Sequence, residues 1–112
     1  MRYILKTDAS ETLVSFVLTK KVNGRESAVD AGSRTLNHAE RKWSVLDKEF
    51  FSLVAAVREN ISLLRQGRFT VVTDCRALCD WDVVEPLSGP TRRTRWAEEL
   101  RELDFEVVFK GD

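Results

Sequence analysis

The chain has few of the residues that mark disulfide-rich, disordered or membrane-spanning proteins. It contains two cysteines, two prolines and five glycines among 112 residues. Two cysteines cannot build the disulfide framework of a small secreted protein, and so few glycines and prolines are not typical of a disordered chain. The longest apolar stretch, residues 50–57, is far shorter than the roughly 20 residues that cross a bilayer. We therefore expect a reducing, intracellular location and no membrane association.

An excess of charge of either sign is also absent. Eighteen Lys and Arg residues balance eighteen Asp and Glu residues, so no global positive field indicates nucleic-acid binding. The positive charge is nevertheless clustered locally in two groups, which are Lys20, Lys21 and Arg25, and Arg92, Arg93 and Arg95. We expect both groups to contact phosphates. For the second group, a solvated helix with ion pairs four residues apart is an equally good interpretation.

The composition that remains is that of a folded globular protein. Hydrophobic residues make up 43% of the chain and charged residues 32%, which is enough apolar surface for one core. The length is also that of a single domain. We therefore expect residues 1–112 to form one domain.

The first third of the chain predicts three antiparallel strands. Apolar and β-branched runs over residues 3–7 and 13–19 indicate the first two strands. Asn23-Gly24 follows the second run, and Asn-Gly is the strongest short signal for a hairpin turn. A third strand is then expected over residues 26–35.

The middle third predicts one long amphipathic helix. Asn37 and Glu40 have the spacing of a capping box, and Gly67 is placed to end the helix. Apolar residues recur at steps of three and four, at Trp43, Leu46, Phe50, Leu53, Val54, Val57, Ile61 and Leu64. This spacing indicates one buried stripe on a helix of about six or seven turns.

The last third alternates between strands and helices. We expect a strand over residues 69–73 that runs parallel to the first strand, then a short helix over 75–81 and a loop over 86–90. A second helix over 91–103 and a final strand over 104–110 complete the chain. The order β-β-β-α-β-α-α-β predicts an α/β fold: a five-stranded mixed sheet flanked by helices, with three antiparallel N-terminal strands plus two parallel strands.

Three acids stand where such a fold would bring them together. Asp8 and Asp74 each follow an apolar run and a threonine, and binding sites in open α/β sheets lie beyond the carboxyl ends of strands. Each Asp could instead cap a turn. Glu49 lies at the margin of the helical stripe, so it must be neutralised, paired with an arginine, exposed to water or bound to a cation. Three converging carboxylates are the oxygen ligands that Mg²⁺ prefers.

Five sequence blocks resemble the ribonuclease H domain of LTR-retrotransposon reverse transcriptases, most closely the Ty3/Gypsy type or a host-domesticated copy of one. They are Thr-Asp-Ala-Ser at 7–10, Ser-Arg-Thr-Leu-Asn with Ala-Glu-Arg at 33–41, Asp-Lys-Glu at 47–49, Phe-Thr-Val-Val-Thr-Asp at 69–74, and Arg-Trp with Asp-Phe-Glu-Val-Val at 95–108. The blocks occur in the family's order and cover nearly the whole chain. The resemblance therefore rests on their combination, because none of them is specific alone.

The resemblance implies the ribonuclease H fold and metal-dependent cleavage of the RNA strand of RNA–DNA hybrids. It implies that Asp8, Glu49 and Asp74 are the catalytic acids and hold two Mg²⁺ ions, for which Mn²⁺ can substitute. It also implies a nucleic-acid contact at Ser10 and an upstream reverse-transcriptase domain in the same polyprotein. The location would then be a cytoplasmic retroelement particle or the nucleus.

The sequence departs from the family pattern at three places. The usual Gly-x-Gly after Asp-Ala-Ser is replaced by Leu13 and Ser15, and the usual His after the third acid is replaced by Cys75. A fourth acid normally follows on a helix beyond the last strand, and the sequence ends at Asp112, so we expect this C-terminal helix to be lacking. These departures favour an alternative: a weak or inactive domesticated domain that serves as a structural module or binds a protein partner.

Overall fold

The computed structural model describes residues 1–83 and 91–111. Its five strands are β1 (Arg2–Ala9), β2 (Leu13–Val22), β3 (Arg25–Thr35), β4 (Phe69–Thr73) and β5 (Phe105–Phe109). They form one sheet in the order β3-β2-β1-β4-β5. The pairs β3–β2 and β2–β1 are antiparallel, whereas β1–β4 and β4–β5 are parallel. The predicted mixed sheet is confirmed, including the placement of β4 beside β1.

The hairpin between β2 and β3 turns where the sequence predicts. Asn23 and Gly24 both have positive φ, at 52° and 79°. A two-residue hairpin turn of type I′ requires positive φ at both central positions, which Asn and Gly tolerate best. The local chemistry of two residues therefore fixes the register next to the turn, as far as the Thr19–Ala28 pair, beyond which the register shifts.

The single long helix predicted from Asn37 is wrong. Three separate pieces occupy this stretch: a 3₁₀ helix (Glu40–Lys42), α1 (Val45–Glu59) and α2 (Ile61–Leu64). The capping box does form, because Asn37 Oδ1 accepts from the Glu40 N–H and Glu40 Oε1 accepts from the Asn37 N–H, both at 2.8 Å. It begins only the 3₁₀ helix.

Two polar residues interrupt the helix. Ser44 is extended, with ψ 160°, and its Oγ accepts from the Asp47 N–H at 3.1 Å, so Ser44 is the N-cap of α1. At the other end, Asn60 has φ −122° and ψ 26°, and its side-chain amide donates to the Ala56 carbonyl. Ser and Asn side chains compete with the helix for backbone hydrogen bonds, which explains both interruptions.

The remaining elements follow the prediction with shorter bounds. A 3₁₀ helix covers Arg76–Asp80, and α3 covers Arg92–Leu100 with Thr91 as its N-cap. The predicted loop over residues 86–90 lies outside the described residues. Helix α3 ends three residues before the predicted end at 103, and β5 then pairs with β4.

Helix α1 packs on β1 and β2, and α3 packs on α1. An aromatic cluster joins the two helices, with ring centroids 5.5 to 5.7 Å apart among Trp43, Phe50, Phe51 and Trp96. Each such pair contributes about 0.5–1.5 kcal/mol beyond its buried area. Trp96 is buried and Trp43 is half-buried against the core, so the two tryptophans pack in the core.

Candidate metal centre

Asp8 and Asp74 lie at the same edge of the sheet. Asp8 is the penultimate residue of β1, and Asp74 directly follows β4. Because β1 and β4 are parallel neighbours with Ile4 opposite Thr70, both acids lie at the carboxyl ends of their strands. The third acid, Glu49, comes from α1, which packs across β1.

The three acids form a tight cluster. One carboxylate oxygen from each of Asp8, Glu49 and Asp74 lies within 4.8 Å of the others. Glu49 is only 5% exposed, whereas the two aspartates are exposed. The cluster therefore has one buried side, formed by Glu49, and one open side.

Glu49 is the buried member of this cluster, and its pKa is raised. Burial, together with the negative charges of Asp74 and Asp8, raises the pKa of Glu49 to about 7. Within the described part of the chain, its Oε2 is buried without a hydrogen-bond partner, and no Lys or Arg forms an ion pair with it. The ion-pair interpretation of Glu49 therefore finds no support. A buried, unpartnered carboxylate oxygen beside two further carboxylates is the donor set that a hard divalent cation needs.

Ser10 builds the turn between β1 and β2. Its Oγ accepts from the N–H groups of Thr12 at 3.3 Å and Leu13 at 3.1 Å, and its own N–H donates to the Leu13 carbonyl at 2.8 Å. This turn closely follows Asp8. A contact between Ser10 and nucleic acid stays a prediction.

The basic group in the hairpin lies far from the acids. Lys20, Lys21 and Arg25 are exposed, and Lys21 is paired with Arg2, at the opposite end of β1 from Asp8. Six residues of strand separate the two ends by about 20 Å. These residues could therefore contact only a ligand that extends well beyond the acidic cluster.

Two arginines of the second basic group form ion pairs with another residue of the protein. Arg92 and Arg93 both form ion pairs with Asp47, at 2.9 Å and 2.8 Å, and all three arginines of the group are exposed. The long-range partner Asp47 was not predicted. Because of these contacts, Arg92 and Arg93 do not simply form part of a solvated helix face. Phosphate contact by the three arginines stays a prediction.

Sequence reasoning also missed how deeply the start of α1 is buried. Asp47 and Lys48 are both buried beside Glu49. The Lys48 ammonium donates to the Glu11 carbonyl at 3.3 Å, which ties α1 to the turn after β1. The available signal was the Asp-Lys-Glu run itself, because three charged residues at the start of a buried helix need partners.

A five-stranded mixed sheet of this order, with an acidic cluster at the carboxyl ends of β1 and β4, defines a ribonuclease H-like domain. A family model described as "RNase H-like domain found in reverse transcriptase" matches residues 1–103. The chain belongs to this family.

The curated relatives are retrotransposon polyproteins of the Ty3/Gypsy type. The chain is 29% identical over 109 residues to the retrovirus-related Pol polyprotein from transposon 297 of Drosophila melanogaster, covering 96% of the chain and 10% of that protein. It is 27% identical over 112 residues to the transposon Tf2-3 polyprotein of Schizosaccharomyces pombe, covering 97% and 8%. The chain thus spans at most about a tenth of these relatives' length.

Solved structures show the same fold. The foamy viral protease-reverse transcriptase in complex with dsDNA matches with a TM-score of 0.74 and 16% identity, over 97% of this chain and 23% of that chain. LC11-RNase H1 in complex with RNA/DNA hybrid matches with a TM-score of 0.71 and 13% identity, over 98% and 86%. At such identities the likeness establishes the fold alone. Across residues 1–83 and 91–111, no helix has the length and apolar character needed to cross a membrane.

Proposed function

We propose that this domain is a metal-dependent ribonuclease H that cleaves the RNA strand of RNA–DNA hybrids. One observation carries the proposal: one oxygen from each of three carboxylates on three separate elements lies within 4.8 Å of the others, and Glu49 Oε2 is buried with no partner in the described residues. A purely structural role gives no reason to hold three like charges so close together. The electrostatic cost is offset when a cation binds.

Asp8, Glu49 and Asp74 would hold two Mg²⁺ ions, or Mn²⁺ in their place. Such ions supply an activated water and stabilise the leaving oxygen of phosphodiester hydrolysis. The protein's own contribution is positioning. Strands β1 and β4 fix the two aspartates, and α1 supplies the buried third carboxylate.

The family assignment and the open side of the cluster support the proposed substrate class. Two of the structural neighbours hold double-stranded DNA and an RNA/DNA hybrid, which supports a nucleic-acid duplex as ligand here. Phosphate contacts would come from Lys20, Lys21, Arg25, Arg92, Arg93 and Arg95. Ser10, in the turn after Asp8, would also contact the nucleic acid. Because the curated relatives are much longer polyproteins, we also propose an upstream reverse-transcriptase domain as partner.

We also propose that residues 1–112 form one domain and that the protein is intracellular. A domain of this kind would act inside the cell, in a cytoplasmic retroelement particle or in the nucleus. The family assignment is what supports that location.

A second candidate function is a weak or inactive domesticated domain that acts as a structural module or binds a protein partner. One observation favours it. Ser15 is the cross-strand partner of Asp8 in the antiparallel pair β1–β2. The family commonly has glycine at the position of Ser15. Side-chain bulk next to a catalytic acid would hinder the approach of a nucleic-acid backbone.

A cleavage assay separates the two functions. The substrates are an RNA–DNA hybrid labelled on either strand, double-stranded DNA and single-stranded RNA, each with Mg²⁺ or Mn²⁺. We expect weak cleavage confined to the hybrid's RNA strand, stronger with Mn²⁺ because Mn²⁺ accepts less ideal coordination. Asp74→Asn should abolish it. An uncut hybrid with both metals, under conditions in which metal is bound, would favour the second function.

A further inference from the structure

Two sets of ion pairs join α1 to α3, one at each end of the helix pair. Near the acidic cluster, Arg92 Nη1 donates a hydrogen bond to Asp47 Oδ2 at 2.9 Å, whereas Asp47 Oδ1 lies 2.8 Å from Arg93 Nε in an ion pair without a hydrogen bond. At the other end, Arg58 donates two hydrogen bonds from Nε and Nη2 to Glu99, at 3.0 Å each. The two connections have similar chemistry but different surroundings.

Of the two connections, only the first has a buried member, and its arginine side chains are 41% and 50% exposed. Asp47 is 8% exposed, whereas Arg58 and Glu99 are both exposed. Arg92 also lies over the ring of Trp43, at 4.3 Å from the centroid. Loss of its arginine partners would leave the buried Asp47 carboxylate unpaired, which costs more than breaking an exposed pair. The Asp47 connection therefore constrains the start of α1 much more strongly.

The acidic cluster also depends on the position of the start of α1, because this segment carries Glu49. Glu49 lies two residues after Asp47, and it faces the like charges of Asp8 and Asp74 within 4.8 Å. No group in residues 1–83 or 91–111 donates a hydrogen bond to Glu49 Oε2. Repulsion therefore pushes Glu49 away from the sheet, and the backbone of α1 must oppose this movement.

We propose that Asp47 is a positioning residue, whose ion pairs with Arg92 and Arg93 hold the first turns of α1 so that Glu49 meets Asp8 and Asp74. This inference rests on the proposed metal-binding function. Asp47 touches neither metal nor substrate in this account. It acts through the helix that carries Glu49.

The test is a calorimetric titration of the full chain with Mn²⁺ at a low temperature where every variant is folded. Asp47→Asn should weaken Mn²⁺ binding by about tenfold, the lower end of effects seen when groups behind a metal ligand are removed. Arg93→Gln should weaken it in the same direction while the ion pair with Arg92 persists. Asp47→Glu, which keeps the charge, should recover part of the affinity.

Two control variants separate positioning from general destabilisation. Arg58→Gln breaks the exposed connection between the same two helices, and Val57→Ala removes buried volume from α1 about two turns beyond Glu49. Both should lower stability yet bind Mn²⁺ as the parent does. The readout is metal affinity, which a merely structural role for Asp47 would leave unchanged in folded protein.

The outcomes are distinguishable. If the parent binds no Mn²⁺, the proposed metal function fails, and the positioning role fails with it. If the parent binds and folded Asp47→Asn binds equally well, only the positioning role is overturned. Should Asp47→Asn fail to fold, Arg93→Gln decides: binding equal to that of the parent overturns the inference, and weaker binding supports it.

Discussion

Asp8 and Ser15 are direct cross-strand partners in the antiparallel pair β1–β2. Leu13 lies two residues before Ser15 on the same face of β2, and it is 38% exposed. Ser15 therefore lies beside Asp8, and Leu13 is its neighbour on the same face of β2. The first prediction concerns both residues, because the family resemblance implies glycines at these two positions.

Replacing Leu13 and Ser15 with glycine should strengthen the binding of an RNA–DNA hybrid, because bulk next to Asp8 is removed. Each glycine should also lower the free energy of unfolding by about 0.5–1 kcal/mol. Val17→Gly is the matched control, since Val17 shares the strand and face but is paired with Lys6, away from Asp8. Equal hybrid affinity in the parent and the double variant would show that this bulk is no obstacle.

Two threonines that precede the aspartates should respond to substitution in opposite ways. Thr7 Oγ1 is buried and has no hydrogen-bond partner in the described residues, whereas Thr73 Oγ1 accepts from the Cys75 N–H at 3.0 Å. Thr7→Val should therefore raise the free energy of unfolding by about 1 kcal/mol, and Thr73→Val should lower it by about as much. Urea unfolding measures both, and a drop in stability for Thr7→Val would contradict the assignment of an unsatisfied hydroxyl.

The metal-free protein should lose stability as the pH rises. The pKa of Glu49 is raised to about 7 in the folded protein, so the folded state holds this proton more tightly than the unfolded state does. The stabilisation is complete below the ordinary glutamate pKa and disappears as the pH rises through about 7. Between about pH 5.5 and about pH 8, the parent should lose about 2 kcal/mol of unfolding free energy through this group.

Glu49→Gln is the control for this pH dependence. Its unfolding free energy, measured in urea at both pH values, should lack the decrease assigned to Glu49. If the parent and Glu49→Gln follow the same pH profile, burial and the charges of Asp74 and Asp8 do not raise the pKa of Glu49.

The basic hairpin should govern the salt dependence of hybrid binding. Changing Lys21 and Arg25 to Gln should weaken affinity and reduce the slope of log affinity against log salt by about 2, because each of the two side chains neutralises one phosphate. Arg65→Gln, which removes an exposed charge at the end of α2, should leave the slope unchanged. An unaltered slope in the hairpin variant would remove these residues from the interface.

The strands and the two aspartates could be predicted from the sequence because their signals are local. Asn23-Gly24 sets the hairpin, and the run over Phe69–Thr73 has the β-branched composition of a strand. The strand ends then bring Asp8 and Asp74 to one edge once β4 is placed beside β1. Only the topology rule for parallel crossovers was needed for that step.

The interruptions of the long helix were not predictable from apolar spacing alone. The stripe continues through Ser44 and Asn60, because the apolar residues keep helical spacing even where the backbone does not. The side-chain hydrogen bonds of these two residues decide the boundaries. Similarly, the contact between Asp47 and Arg92 joins residues 45 apart in sequence, and no local pattern reveals it.

The melting temperature in millimolar Mg²⁺, compared between the parent and Asp74→Asn, tests the central claim most directly. If Asp8, Glu49 and Asp74 form a cation site, Mg²⁺ binds only the folded state and should raise the parent's melting temperature by a few degrees. Asp74→Asn should show no such rise, and its metal-free stability should equal or exceed the parent's because one repulsive charge is gone. A parent melting temperature that is indifferent to Mg²⁺, or an equal rise in Asp74→Asn, would contradict the metal site.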